Sequence, residues 1–504
     1  MTSLSFAKTV KSLIRGSRTL LVVAPPSVCK PRKFPAILDK AASKLLTDMA
    51  RDASPGDRGT TVCSLTGGRS PRRLCLGLLP ETRSRYNSPS RPGAIRHVVG
   101  GANFDDKGKN AILFVLDDPA HLLAAVNAAG RALPLFNRKS SDKNERRVEL
   151  LAIDRKGNVI PHDEIIESTL RASRESAELV DTPPTELNPE EYSKRVKAIL
   201  KPLANVKIRE IAGPNLVKHG LLGIHSVGRA AMNAPRLVIA TYTPPRDIAA
   251  AEQKHYALVG KGVTYDTGGL NLKISGSMRN MKCDMGGSAA VFGAFRVLVE
   301  TGFRHKLSLL MPMAENAIGP NSYKPDDIFT AHSGKTVEIH NTDAEGRLLL
   351  IDGVSWAARE LQADVVIDAA TLTGAQMIST GTMHAAVVSN DGDIEAAMLN
   401  AGRVTGDLCH PLPFAPEFYK REFESQVADM TNSVHNRMNA QSACAAQFVY
   451  WHLEGTDARW CHIDLAGPAF RNTRGTGYGV ALISQTLRDL TVEASDDDDG
   501  DDDA

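Results

Sequence analysis

Beyond residue 230, short apolar runs alternate with helical stretches. That alternation constrains the fold of this chain more than any other feature. Residues 234–242 (APRLVIATY), 255–260 (HYALVG), 306–314 (KLSLLMPMA) and 363–370 (ADVVIDAA) read as strands, and residues 287–301 and 346–361 as apolar helices between them. The strands are continuously apolar rather than alternating in polarity, as strands are when both faces are covered. The pattern predicts an α/β fold with a mostly parallel central sheet covered by helices on both faces. In such sheets ligands bind just beyond the carboxyl ends of the strands. The residues that follow each run therefore carry the functional question.

Those strand ends are polar and glycine-rich. Residues 255–260 run into Lys261-Gly262-Val263-Thr264-Tyr265-Asp266-Thr267-Gly268-Gly269, residues 306–314 into Glu315-Asn316, and residues 363–370 into Thr371-Leu372-Thr373-Gly374. Gly268 and Gly269 let the backbone approach a ligand closely. Asp284-Met285-Gly286-Gly287 opens the helix 287–301, and a hairpin-like piece, Thr336–His340, runs into Asn341-Thr342-Asp343-Ala344-Glu345-Gly346-Arg347-Leu348. Alternate residues of an extended segment point the same way. If Asp343 and Glu345 share one target, the piece is an extended strand end or loop and the helix begins near Gly346. Taken alone, the run favours a plain polar turn whose acids sit at the positive end of a helix. Its partners on other strand ends reverse that preference. Asp266, Asp284, Asp343 and Glu345 are four carboxylates that cannot gather unpaired. Two divalent cations would balance them, about 3.5–4 Å apart as in two-metal hydrolytic sites.

Lys261, Lys273 and Arg347 lie in the same loops. A lone lysine is ordinarily a solvated charge. Beside metals and carboxylates it can polarise a carbonyl, hold an anion or, when neutral, ligate a metal. Gly260-Lys261-Gly262 lacks the spacing and the Ser/Thr of a phosphate loop. His340 reads as a packed residue rather than a ligand. Cys283 reads as a small buried hydrophobe, and His462 and Asp464 as hydrogen-bonded structural residues of a strand.

The first 160 residues read differently. Residues 19–24, 111–116 and 147–153 are strand-like, residues 119–132 form a helix opened by Asp117-Asp118-Pro119, and residues 51–103 are loops and short elements. This predicts a small N-terminal α/β domain over 1–160 with no concentrated chemistry. Residues 161–179 predict a polar, mostly exposed connecting helix, and the paired prolines of Asp181-Thr182-Pro183-Pro184 follow it. The larger C-terminal domain then spans 180–487 and a disordered acidic tail 488–504, with seven aspartates between Asp496 and Asp503. The first 38 residues carry seven basic groups and no acid, with Phe6, Val10, Leu13 and Ile14 on one helical stripe. They read either as a basic first helix or as an organelle transit peptide, so the expected location is cytoplasmic, with mitochondrial as the alternative. Seven scattered cysteines argue for reduced thiols rather than a disulfide framework. No run is long enough to span a bilayer.

These motifs resemble the leucyl aminopeptidase (cytosol aminopeptidase) family of dinuclear metallopeptidases, and most of all its "probable aminopeptidase-like" branch. The octapeptide Asn341–Leu348 matches the family signature fully. Val259–Gly269, Asp284–Gly287, Ala370–Ala375 and Ile463–Pro468 support it, over residues 180–487. The resemblance implies that Lys261, Asp266, Asp284, Asp343 and Glu345 ligate two divalent metals (Zn2+ or Mn2+, with Co2+ or Mg2+ as alternatives), Asp266 and Glu345 bridging them and Lys261 ligating as a neutral amine. Lys273 would polarise the scissile carbonyl, and Arg347 would hold a bicarbonate acting as general base. Met281, Thr371, Gly374 and Ala466 would line an apolar pocket for the first side chain. The implied reaction is hydrolysis of the N-terminal residue of peptides, Leu-like but broad, by a two-metal-activated hydroxide, in a homohexamer. The competing class is a non-catalytic scaffold or nucleic-acid-binding protein that kept the fold. The intact ligand set and the lack of a concentrated basic stripe count against it, so nucleic acid and membrane are not expected partners.

Overall fold

The computed structural model describes residues 2–30, 33–68, 70–140, 145–245 and 253–491. Most of the acidic tail expected at 488–504 thus lies outside the described residues. Two sheets organise the chain. The first has six strands in the order Thr2–Phe6, Arg146–Ile153, Lys109–Val115, Ser17–Ala24, Arg73–Leu78 and Thr60–Leu65. All neighbours are parallel except the last pair. Successive residues of a strand face opposite sides. Leu21, Val23, Ile112 and Phe114 accordingly pack under the helices Pro92–Gly100 and Leu122–Ala132. Leu20, Val22, Leu113 and Val115 pack on the other face with Leu46 and Met49 of the helix Lys40–Asp52.

The second sheet has nine strands. Its main path runs Cys409–Pro411, Ala385–Ser389, Arg459–Asp464, Val365–Ala370, His255–Gly260, Lys306–Asn316, Arg236–Tyr242 and Val206–Ala212, and Gly262–Asp266 pairs alongside Lys306–Asn316. The four central strands are mutually parallel, and antiparallel strands flank them on both sides. Helix Gly286–Glu300 covers one face and helix Glu345–Arg359 the other. This is the α/β architecture with a mostly parallel sheet that the apolar runs predict. The strand from Lys306 continues to Asn316, so Glu315-Asn316 belongs to the strand rather than to a loop.

Three further expectations need correction. The connecting segment is the helix Glu164–Asp181, and it is mostly buried rather than exposed. It packs against helices Leu122–Ala132, Gly286–Glu300 and Val480–Asp489, so both sheets' coverings meet on it. Glycines on the neighbouring helices permit that burial: a Cβ at Gly293 would lie 2.6 Å from Ser176 Oγ, and one at Gly130 would lie 2.4 Å from Leu170 Cδ1. Arg174, buried in the same helix, donates to Thr2 O at 2.6 Å and to Leu133 O at 2.7 Å. At the N-terminus, Phe6 is in a strand, and the helix runs only from Val10 to Ile14. Parallel pairing with Arg146–Leu150 outweighs the local helical stripe there. Between residues 51 and 103 the short elements expected among the loops are two paired strands and a nine-residue helix, Pro92–Gly100. Finally, Cys63 and Cys75 face each other across that strand pair and form a disulfide. The expectation of reduced thiols holds for the five free cysteines alone. Among the described residues no helix is long and apolar enough to cross a membrane.

Candidate active site

The carboxyl edge of the nine-stranded sheet gathers the loops singled out above. Lys261 follows directly on the strand His255–Gly260, and its N–H donates to Ala369 O of the neighbouring strand at 3.0 Å. Helix Gly286–Glu300 begins hard against these two strands. A Cβ on Gly260 would lie 2.4 Å from Ser288 Cα, and one on Gly287 would lie 2.0 Å from Ala369 O. That contact sets Asp284, just ahead of the helix, beside Lys261. Asp266 ends the strand Gly262–Asp266 opposite Asn316. The chain then turns through Gly268 (φ +84°) and Gly269 (φ +62°), conformations that suit glycine. The turn returns Lys273, whose N–H donates to Thr267 O at 2.9 Å.

The segment Asn341–Glu345 is a turn, not an extended piece. Ala344 N–H donates to Asn341 O at 3.2 Å, Asp343 N–H to Asn341 Oδ1 at 2.9 Å, and Glu345 is the first helical residue. The carboxylates of Asp343 and Glu345 nevertheless converge. With Asp266 they form a group whose ligand oxygens lie within 4.8 Å of one another. A tight turn running directly into a helix brings the two side chains together without the extended backbone that their alternate spacing suggests.

Two lysines stitch the four acids together. Lys261 Nζ lies 2.7 Å from Asp284 Oδ1 and 2.9 Å from Glu345 Oε1, and donates to Thr371 O at 2.9 Å. Lys273 Nζ lies 2.8 Å from Asp266 Oδ2 and 2.5 Å from Asp343 Oδ1. Asp284 is not one of the three-oxygen group and joins it through Lys261. Lys261, Asp266, Asp284 and Glu345 are buried, while Asp343 is the most exposed of the set, its carboxylate partly shielded beside Lys273. Burial raises the carboxyl pKa of Asp266, Asp284 and Asp343. For Lys261, burial favours the neutral amine, but the charges of Asp284, Glu345 and Asp266 outweigh it and hold the proton on. Lys273 is likewise lowered by burial and raised further by Asp266. Arg347 is buried and donates to Asn432 O at 2.7 Å, and its guanidinium is pulled down to about 10, chiefly by desolvation.

The donor set fits a divalent cation. Asp284 Oδ2 and Glu345 Oε2 are buried with no hydrogen-bond partner among the described residues. An anionic oxygen in that position is costly unless a cation faces it. Carboxylate oxygens suit a hard or borderline divalent cation better than a soft one.

A cleft of about 400 Å³ opens over the cluster. All eleven residues singled out from the sequence line it: Lys261, Asp266, Lys273, Met281, Asp284, Asp343, Glu345, Arg347, Thr371, Gly374 and Ala466. Cys283 lines it too, half-buried, its thiol pushed up to about 12 by burial and by Asp284. His340 lies outside this lining, with Nε2 3.3 Å from Glu338 Oε1. His462 and Asp464 are buried structural groups. His462 Nδ1 meets Asp368 Oδ1 at 2.5 Å, and Asp464 accepts from Leu372 N–H at 3.1 Å and Thr373 Oγ1 at 2.7 Å. Supporting residues that the motifs did not single out are Asn316, Thr342 and Asn432. Asn316 Nδ2 donates to Asp266 Oδ1 at 2.8 Å and to Thr342 O at 3.0 Å, locking the acid to the turn. Thr342 Oγ1 donates to Gly268 O at 2.6 Å. Thr342 stands inside the octapeptide, but no spacing rule points to Asn316 or Asn432.

Acids and cations gathered at a sheet edge are what a metal-assisted hydrolase needs, and the chain as a whole is similar to known peptidases. Residues 175–484 match the cytosol aminopeptidase family catalytic domain, and residues 49–142 match the M17 aminopeptidase N-terminal domain 2. A curated mouse protein (Mus musculus), "Probable aminopeptidase NPEPL1", is 42% identical over 81% of this chain and 78% of its own length. The solved structure of Caenorhabditis elegans leucine aminopeptidase superposes with a TM-score of 0.87 at 33% identity, covering 98% of this chain and 99% of that one. The bottromycin maturation enzyme BotP, solved in complex with Mn, has a TM-score of 0.76 at 26% identity, covering 94% and 99%. The chain belongs to the cytosol aminopeptidase family. It is a peptidase hydrolase, a metal-dependent aminopeptidase acting at the N-terminus of peptides.

Proposed function

We propose that the cleft removes the first residue of peptides, Leu-like but broad in preference, with two divalent cations, Zn2+ or Mn2+, held by Lys261, Asp266, Asp284, Asp343 and Glu345. The observation that carries this reading is the convergence of Asp266, Asp343 and Glu345 within 4.8 Å, beside the two partnerless oxygens of Asp284 and Glu345. The Mn bound by BotP supports the choice of cation. The bound cations would supply an activated water and Lewis acidity, and bicarbonate the base. Lys261 must lose its proton to serve as a ligand, and cations taking over the neutralisation of Asp284 and Glu345 would allow it. Lys273 stabilises negative charge as it develops on the carbonyl oxygen. Arg347 has one N–H committed to Asn432 O, and its other donors anchor the bicarbonate. Met281, Thr371, Gly374 and Ala466 receive the first side chain. An apolar wall separates neighbouring side chains by only about 1–3 kcal/mol per methylene, hence the broad preference. We assign the enzyme to the cytoplasm, following its family's description, and to a homohexamer.

Metal analysis paired with hydrolysis of a Leu-peptide tests the reading. The purified enzyme should carry about two divalent ions per chain. A chelated sample should regain turnover with Zn2+, Mn2+ or Co2+. Failure of all three on correctly assembled protein overturns it.

A further inference from the structure

A second charged cleft lies where the two sheets' coverings meet, and it shares no lining residue with the carboxylate cleft. An inner cavity of about 140 Å³ is walled by Pro80, Pro92, Leu408 and Tyr478. A wider mouth of about 740 Å³ continues from it, and the two share Gly93, Arg96, Met383 and Arg471. Arginines from four separate elements reach this space. Arg58 precedes the strand Thr60–Leu65, Arg96 is on helix Pro92–Gly100, Arg131 is on helix Leu122–Ala132, and Arg471 is in the hairpin Phe470–Gly475.

Among the described residues only part of this charge is balanced. Arg131 is matched by Asp407 at 2.6 Å, and nearby Arg91 by Asp117 at 2.9 Å. Arg58, Arg96 and Arg471 make no side-chain hydrogen bond or ion pair with any described residue. The charges that perturb Arg96 most are Arg131 and Arg471, and those that perturb Arg471 most are Arg131 and Arg58. Burial and this mutual repulsion pull the Arg96 guanidinium down to about 10. Like charges are not gathered at a half-buried seam without cost, and guanidinium forks match oxyanion geometry.

We propose that Arg58, Arg96 and Arg471 form an anion site, separate from the catalytic cleft, that binds a phosphate dianion, free or as the monoester of a small organic group lying along the Pro80–Pro92–Leu408 wall. Bound there, the dianion neutralises the seam between the two sheets and tightens it. The reading does not depend on the metal assignment.

Calorimetric titration of the full chain with inorganic phosphate, and separately with phenyl phosphate, at constant ionic strength in chloride tests this. Saturable binding of either is expected, together with a rise in the thermal midpoint. Tighter binding of phenyl phosphate identifies a monoester as the ligand, and equal binding identifies the free ion. The double variant Arg96→Gln/Arg471→Gln should weaken binding by about tenfold or more, that is by about 1.4 kcal/mol, while Leu-peptide hydrolysis without phosphate stays at the wild-type level. Arg58 is exposed, so Arg58→Gln leaves folding untouched and should weaken binding measurably on its own. Phosphate bound at the carboxylate cluster instead would leave affinity unchanged in all these variants. That result, or the absence of saturable binding, overturns the proposal.

Discussion

At the scale of single residues, the site opposes two ammonium groups to four carboxylates, and each lysine has its own consequence. Lys273 bridges Asp266 and Asp343 from a glycine-hinged loop. Lys273→Ala should lower kcat by about 10²–10³-fold while bound metal, measured on the same sample, stays at the wild-type level. Asp266→Asn should instead lose metal and activity together. Equal metal loss in both variants would reverse these assignments. Asp352, fully buried in helix Glu345–Arg359, gives a pH signature unconnected with catalysis. Desolvation pushes its carboxyl from 3.8 up to about 7, even though it accepts Ile224 N–H at 2.9 Å. The folded state therefore binds the proton more tightly than the unfolded one. Its contribution is full below pH 3.8 and is lost as pH rises through about 7. Urea titrations of wild type should show stability draining over that window, and Asp352→Asn should make the slope shallower by Asp352's share.

At the scale of elements, the site depends on how closely helix Gly286–Glu300 sits on its strands. Gly287→Ala would set a methyl 2.0 Å from Ala369 O and 2.7 Å from Ala370 Cα, both backbone atoms that cannot swing away. The overpacking should cost about 1–3 kcal/mol. Because Asp284 precedes the helix, kcat/KM should fall with the urea midpoint, and a variant with wild-type values of both would refute the coupling. Elements were legible in the sequence where burial made them continuously apolar, as in His255–Gly260 and Val365–Ala370. The site's acids were legible because each lies at such a strand's end or a helix start. Three features escaped because their causes are not local. Thr2–Phe6 is a strand only by virtue of Arg146–Leu150. Glu164–Asp181 looks polar because it buries serines, a threonine and Arg174 beside its few large apolar residues, against glycines of its neighbours. The Cys63–Cys75 link depends on a strand register that spacing does not reveal.

At the scale of the whole molecule, the helix Glu164–Asp181 joins the coverings of both sheets, and Asp181 at its end accepts from Gly475 N–H at 2.7 Å and Arg474 Nε at 2.8 Å. A fragment beginning at residue 161 should fold cooperatively and retain metal. One beginning at residue 182 should expose the apolar face of helix Gly286–Glu300 and aggregate, as light scattering would report. Equal solubility of the two fragments would show that the helix is dispensable to the larger sheet. The six-stranded sheet carries a different consequence, one of time. Its first strand pairs in register with Arg146–Leu150, which the ribosome makes on the order of 10 s later at ordinary elongation rates. Until then both edges of the nascent strand are unpaired, and a chaperone that shields it during synthesis would raise the yield of assembled enzyme without touching the finished molecule.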